Sequence, residues 1–291
     1  MYKMNQTLIP SINYHLWEPC NFSCKFCFAT FQDVKKSILP KGHLPKDDAL
    51  RIVDAIAAAG FSKITFVGGE PTLCPWIGDL IVRAKNKGLT TMIVTNGSGL
   101  SDGFLKEISG FLDWVVISID SKVPELNILS GRHQGNNLVP DENYYREKVV
   151  LVRKWNVKLK INSVINSSNC NDFTLTPFIV SLMPQRWKLF QTLRVKGQND
   201  EQVDQIAISE EKFYEFIHSN NIDKIPFAVI EDNNAMTGTY LMIDPAGRFF
   251  DNTKGHHTYS QPILKVGTKN ALKDISYSYS GFIKREGVYN W

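Results

Sequence analysis

Through its first two thirds the chain alternates short runs rich in β-branched and aromatic residues with amphipathic helical stretches, and few architectures accept that rhythm. The spacing predicts strands over residues 12–17, 63–67, 90–95, 114–119, 157–163 and 187–193, with helices over 47–59, 76–87, 102–108, 142–155 and 173–182. Gly60 and Gly88 stand where two of these helices should stop, because glycine enters the left-handed conformation at little cost. Strand, helix and strand in succession build a parallel pair with the helix packed across it. Six such units therefore predict an α/β fold, a parallel sheet curled into a partial (βα)6 barrel. After Leu193 the pattern loosens to a helix over 210–219 and a hairpin over 240–250 around Asp244-Pro-Ala-Gly247. No Pro- or Gly-rich linker precedes it. We expect residues 1–195 to form the barrel core and 196–291 an extension that packs on the barrel and closes it, in one structural domain.

The loop predicted to leave the first strand reads Cys20-Asn-Phe-Ser-Cys24-Lys-Phe-Cys27. Three thiols at C-x₃-C-x₂-C spacing can surround one inorganic cluster from a single loop. Cys74 and Cys170 are the other cysteines and neither lies close by in the sequence, so a four-iron, four-sulfur cluster held here would keep one iron without a protein ligand. The plainer readings are a structural metal knuckle and a disulfide framework. Five cysteines in 291 residues staple little, and three clustered thiols do not pair off.

Loops at the C-terminal ends of parallel barrel strands build active sites, and the next unusual tracts fall there. Gly68-Gly69-Glu70-Pro71 leaves the second strand: two glycines let the backbone approach a ligand closely, and a carboxylate can accept from an ammonium. Thr95-Asn96-Gly97-Ser98 leaves the third strand, and Ser118-Ile-Asp120 ends the fourth. Ser130-Gly-Arg132-His-Gln-Gly135 offers one cation suited to a carboxylate, an exposed loop arginine being the ordinary alternative.

Together the cysteine triplet, with Phe26 and Phe28 flanking its last member, and the Gly-Gly-Glu-Pro loop resemble the radical S-adenosylmethionine (SAM) enzymes. The resemblance implies that Cys20, Cys24 and Cys27 ligate a 4Fe–4S cluster and that its open iron binds the amino and carboxylate groups of SAM. It further implies that Gly68, Gly69 and Glu70 hold the methionine amino group, and that Thr95, Asn96, Ser118, Arg132 and Phe26 contact the rest of the cofactor.

Two strands ask for a second, anionic ligand. In residues 157–163 the period of two puts Lys158, Lys160 and Asn162 on one face and Leu159 and Ile161 on the other. In the next strand Arg186, Lys188 and Phe190 oppose Trp187 and Leu189. Helices cover the outside of such a barrel, so the basic faces should point inward, and buried lysines are costly unless an anion meets them. A polyphosphate accounts for both strands. Lys158 and Arg186 also fit a simpler role, capping the open bottom of the barrel in water.

One branch of the radical SAM enzymes matches closely, and the chain resembles the viperins. The tracts are Asn13-Tyr-His15, the cysteine loop, Gly68-Gly69-Glu70-Pro71, Thr95-Asn96-Gly97-Ser98 and Ser130-Gly-Arg132. They continue with Lys160-Ile-Asn162-Ser-Val-Ile-Asn166, Arg186-Trp-Lys188, Tyr240-Leu and Lys284-Arg285-Glu-Gly-Val-Tyr289. The likeness implies conversion of a ribonucleoside triphosphate, CTP or UTP foremost, to its 3′-deoxy-3′,4′-didehydro analogue, a terminator of viral or phage RNA chains. It implies that Lys63, Lys160, Lys188 and Arg285 grip the triphosphate, that Asn13 and Asn162 add polar contacts, and that Tyr240 serves the last reductive stage. Val67 stands where viperins usually carry Ser, and Asn252 where they often carry Cys, which leaves the preferred base open.

Composition adds bounds. At 43% hydrophobic and 21% charged the chain is an ordinary globular one, and a net charge of +4 makes no case for direct nucleic-acid binding while permitting an anionic small substrate. No apolar run approaches the roughly 20 residues that span a bilayer, and Met1 to Pro10 reads as neither a signal peptide nor a long amphipathic helix. We expect a cytoplasmic monomer, served by an electron donor of flavodoxin or ferredoxin type. The rival readings are a radical SAM enzyme acting on a peptide or another nucleotide, and a non-catalytic iron–sulfur carrier. The first usually brings extra C-terminal cysteines, and the second has no use for a methionine-binding loop.

Overall fold

The computed structural model describes residues 7–291; the expectation for Met1 to Pro10 lies, for residues 1–6, outside the described residues. Seven strands run parallel, each beside the next in chain order: β1 (Ser11–Trp17), β2 (Lys63–Gly68), β3 (Thr90–Thr95), β4 (Trp114–Ser118), β5 (Lys158–Ile165), β6 (Arg186–Gln191) and β7 (Ala228–Glu231). Between them lie α1 (Lys46–Ala58), α2 (Ile77–Asn86), α3 (Asp102–Ile108), α4 (Pro124–Ser130), α5 (Glu142–Lys154) and α6 (Leu175–Ser181). The boundaries agree with the periodicity to within two residues for the six expected strands. Gly60 and Gly88 do follow α1 and α2, at φ +88° and +83°.

Three features depart from the expected arrangement. A seventh parallel strand, β7, sits in the stretch read as irregular; four residues are too few for a period of two to register. The hairpin is present as β8 (Leu241–Ile243) and β9 (Arg248–Asp251), but it does not merely pack on the barrel. β8 pairs parallel with β1, β9 pairs antiparallel with β8, and β10 (Thr258–Pro262) adds antiparallel to β9, giving one open sheet in the order β10-β9-β8-β1-β2-β3-β4-β5-β6-β7. Helix α4 occupies the end of the loop after β4, where Pro124 opens it and Gly131, at φ +76°, closes it.

The sheet divides its residues by parity, as the pleat requires. On the outer face Ile12, Tyr14, Ile64, Phe66, Ile93, Val115, Ile117, Leu159, Ile161, Trp187 and Leu189 are buried in one core with the apolar sides of the helices. Each fully buried aliphatic or aromatic side chain there contributes about 1.5–3 kcal/mol relative to exposure. The inner face carries the polar and basic residues, and it encloses the cavity described next. Among the described residues no helix is long and apolar enough to cross a membrane.

Candidate active site

One cavity of about 720 Å³ occupies the concave side of the sheet, and the residues expected to hold the cluster, SAM and the nucleotide all line it, whereas Lys158 and Arg186 do not. Cys20, Cys24, Cys27 and Phe26 belong to one part of that lining, with Gly68, Gly69, Glu70, Thr95, Asn96, Ser118 and Arg132. Lys63, Lys160, Lys188 and Arg285 add further cations to the lining, together with Asn13, Asn162, Tyr240 and Tyr289.

The cysteine loop is held by backbone bonds to two other loops. Gly69 N–H donates to the Trp17 carbonyl at 2.5 Å and Glu70 N–H to that of Pro19 at 2.9 Å, while Ser23 and Lys25 N–H donate to the carbonyls of Gly131 and Ser130. A Cβ on Gly68 would stand 2.2 Å from the Trp17 oxygen, and one on Gly69 2.1 Å from that of Glu18. The glycine pair thus admits the chain's own backbone, which seats the cysteine loop.

All three loop thiols are free and line the cavity. Burial pushes the Cys20 and Cys24 thiols up to about 12, so iron must displace their protons. Phe22 N–H donates to Cys20 Sγ at 3.4 Å, and the Arg132 guanidinium favours thiolate at Cys24 and Cys27. Among the described residues no three His, Cys, Asp or Glu side chains converge to hold a single metal ion. This donor set fits a polynuclear cluster that takes one thiolate per iron.

Glu70 is a hub, 1% exposed. Its Oε1 accepts from Thr72 N–H at 3.0 Å, Thr72 Oγ1 at 2.5 Å and Thr95 Oγ1 at 2.7 Å, and its Oε2 from Asn96 N–H at 2.7 Å. Burial raises the carboxyl pKa against these bonds. Thr95 is thereby occupied, since its oxygen also accepts from Gly97 N–H at 2.9 Å. Asn96 Nδ2 donates to Asn21 Oδ1 at 2.9 Å, and Asn21 in turn to Ser98 Oγ and Gln134 Oε1. Arg132 is no exposed loop residue. It is buried, its Nε donates to Asp120 Oδ2, and its guanidinium lies 5.3 Å from the Phe26 ring centroid. Asp120 Oδ1 accepts from Val164 N–H at 2.8 Å.

At the basic end Lys63, Lys160, Lys188 and Arg285 are all buried. Lys63 Nζ sits 4.2 Å from the Trp291 ring centroid and 4.8 Å from that of Tyr289. Burial, then the neighbouring cations, hold the Lys63 and Lys160 ammonium groups well below the ordinary lysine range. Lys188 falls to about 8, where burial outweighs the attraction of Glu231. Asn162 Oδ1 is buried without a partner. Lys158 is exposed over Trp114, whereas Arg186 is buried, stacks 4.2 Å from the Tyr289 centroid and donates to the Glu286 carbonyl at 2.8 Å. Of these two, only Lys158 stands in water.

Sequence reasoning missed two groups that line or support this cavity. Glu231, at the end of β7, is fully buried and receives Lys188 and Tyr240. The run Ala228-Val-Ile-Glu231 after Pro226 was its only signal. His15 lines the cavity with Nδ1 unpartnered, and burial with His257 nearby lowers it to about 3, so the imidazole is neutral. Alternation along β1 placed it beside Asn13.

Residues 16–139 match the radical SAM superfamily. Over 284 residues the chain is 50% identical to a protein of Flammeovirga pacifica named S-adenosylmethionine-dependent nucleotide dehydratase, covering 98% of this chain and 97% of that one. It is 34% identical to S-adenosylmethionine-dependent nucleotide dehydratase RSAD2 of Danio rerio, over 97% of this chain and 78% of the relative. Among solved structures, anSMEcpe with bound AdoMet and a Kp18Cys peptide superposes with a TM-score of 0.68 at 14% identity, covering 91% of this chain and 80% of that one, a likeness of fold. The free thiols on one loop, the Glu70 hub beside them and 50% identity over nearly the full length lead to one assignment: the chain is a radical SAM enzyme, dependent on a 4Fe–4S cluster and SAM, and belongs to the viperin-like family of nucleotide dehydratases.

Proposed function

We propose that the protein dehydrates a ribonucleoside triphosphate, CTP or UTP, to its 3′-deoxy-3′,4′-didehydro analogue, which ends viral or phage RNA chains when a polymerase incorporates it. The observation that carries this reading is a single cavity with three thiols in its lining and, besides Arg132, four buried cations, Lys63, Lys160, Lys188 and Arg285, in the same lining. Neither half explains the other: a cluster site needs no lysines, and lysines buried without an anion are unfavourable.

Cys20, Cys24 and Cys27 would hold a 4Fe–4S cluster, which when bound would supply the electron for reductive cleavage of SAM to a 5′-deoxyadenosyl radical. The chain's residues do the rest. Glu70, carried by its bonds to Thr72, Thr95 and Asn96, shapes the edge that receives the methionine ammonium, and Arg132, Ser118 and Phe26 border the remainder of SAM. Lys63, Lys160, Lys188 and Arg285 bind the phosphates, and Asn13 and Asn162 meet the nucleotide between them and the radical. Anchoring the phosphates fixes the ribose so that its C4′ hydrogen is the one abstracted. The hydrogen atom leaves to the radical, the 3′-hydroxyl departs as hydroxide, and one further electron and proton give the alkene and water. Tyr240 serves that last stage. A monomer with a cytoplasmic flavodoxin- or ferredoxin-type donor suffices, and no nucleic acid takes part directly.

The test is anaerobic reconstitution with reductant, SAM and each of the four ribonucleoside triphosphates, following 5′-deoxyadenosine and a nucleotide 18 mass units lighter, the mass of about one water. Cys20→Ala, Cys24→Ala and Cys27→Ala should abolish 5′-deoxyadenosine, whereas Cys74→Ala and Cys170→Ala should not. Release of 5′-deoxyadenosine by Cys20→Ala would overturn the cluster assignment, and wild-type protein that cleaves SAM but dehydrates none of the four would overturn the substrate.

A further inference from the structure

A carboxylate sits among the cations of the cavity, where its charge opposes the ligand they favour. Glu231 is 0% exposed. Its Oε2 accepts the Tyr240 hydroxyl, its Oε1 accepts from Lys188 Nζ, and the same oxygen lies 3.5 Å from an Nη of Arg285. Lys188 Nζ also donates to the Tyr240 oxygen at 3.3 Å. Arg285 covers the ring of Tyr240, its guanidinium carbon 3.6 Å from the centroid, and is itself fixed by two bonds to the Thr239 carbonyl at 3.3 and 3.0 Å. Three groups thus converge on one phenol. Its oxygen donates to a carboxylate and accepts from an ammonium, and its face is capped by a guanidinium.

This arrangement exceeds what packing a tyrosine needs. A neutral side chain in place of Glu231 would leave more net positive charge for a polyanion, so the carboxylate costs the site affinity. In exchange it orients the hydroxyl and holds Lys188 against it. Burial alone would drive Glu231 to its neutral form, yet Lys188 and Arg285 hold its pKa below the usual carboxylate value, so it is ionised beside Tyr240.

We propose that Glu231 is the positioning residue for Tyr240: its carboxylate aims the phenol and keeps Lys188 and Arg285 around it, at the expense of nucleotide affinity. The inference rests on the reading that the cavity dehydrates a nucleoside triphosphate.

Glu231→Gln keeps the shape and an acceptor but removes the charge. Calorimetric titration of the purified protein with CTP, and separately with inorganic triphosphate, should show binding at least about threefold tighter than wild type, because a repulsive charge is gone. In turnover the same variant should keep releasing 5′-deoxyadenosine while didehydro nucleotide formed per 5′-deoxyadenosine falls about fivefold or more, the loss of an oriented group. Because Glu231 acts through Tyr240, adding Glu231→Gln to Tyr240→Phe should lower that ratio no further. Glu231→Asp retains the charge and withdraws it by one methylene; it should bind nucleotide as wild type does and still lose the ratio. Weaker binding by Glu231→Gln, an unchanged ratio in either Glu231 variant, or additive losses in the double variant would each overturn the inference. Wild-type protein that makes no didehydro nucleotide would instead sink the reading beneath it, and the inorganic triphosphate titration would still report the repulsion.

Discussion

Lys63 and Lys160 meet aromatic faces in the cavity, Lys63 those of Tyr289 and Trp291, Lys160 that of Tyr289 at 6.0 Å. Their free-state pKa values lie well below the ordinary lysine range. A bound polyphosphate favours the ammonium form, so the complex holds these protons more tightly than the free protein does. Binding therefore takes up protons and weakens as pH rises through the window between the free and bound pKa values. Calorimetry with CTP from about pH 7.5 upward, in two buffers of different ionisation enthalpy, should show proton uptake and falling affinity. Pairing with Glu231 does not exempt Lys188. Lys160→Ala and Lys188→Ala should each lose about 1.5–3 kcal/mol, roughly ten- to a hundredfold in nucleotide affinity, with SAM binding little changed. Equal losses for both ligands would mean a damaged barrel. Lys160 and Lys188 were legible because alternation in a strand is local, and Lys63 through the family resemblance; the carboxylate that meets Lys188 was not.

At the level of elements, the cysteine loop after β1 is seated by the loop after β2 and by the C-terminal end of α4. Gly131 lies as close to the Ser23 carbonyl as Gly69 does to those of Glu18 and Pro19: an added Cβ would stand 2.3 Å from the Ser23 oxygen. Both glycines therefore serve the placement of the thiols. Gly69→Ala should push the loop off its seat, costing about 1–3 kcal/mol of stability through overpacking. Denaturant unfolding reads the stability, and iron content after reconstitution reads the loop; a variant normal in both would show that the loop adapts freely. The sequence pointed to these glycines through their motifs but did not show which backbone they admit. Contacts between loops separated by about fifty or a hundred residues leave no local pattern.

For the whole molecule, the last third of the chain supplies both edges of the sheet. β7 lies beside β6, and β8 with β9 and β10 lies beside β1, so the residues after 195 complete the sheet at each end. Phe249 and Ile243 enter the main core, and Arg285 and Tyr289 reach the cavity from the far end of the chain. We propose that the two parts fold as one. A fragment of residues 1–195 should then lack a cooperative thermal transition and near-ultraviolet dichroism, while the full chain shows one transition. A fragment that melted cooperatively and bound iron would divide the chain into separate units.

What the sequence determined by itself is what repeats over short distances: six parallel strands, the thiol triplet, the glycine loop and the basic strand faces all follow from periods of two or spacings within one loop. Tertiary structure alone decided which buried polar and charged groups meet. Lys188 finds Glu231 across 43 residues, Tyr240 reaches the same carboxylate from the next segment, and Arg186 finds the Glu286 carbonyl across 100. Such pairings depend on strand order and on where the chain's last segment returns. A buried charge is stable only beside a partner, but nothing in its own neighbourhood of the sequence says which partner that will be.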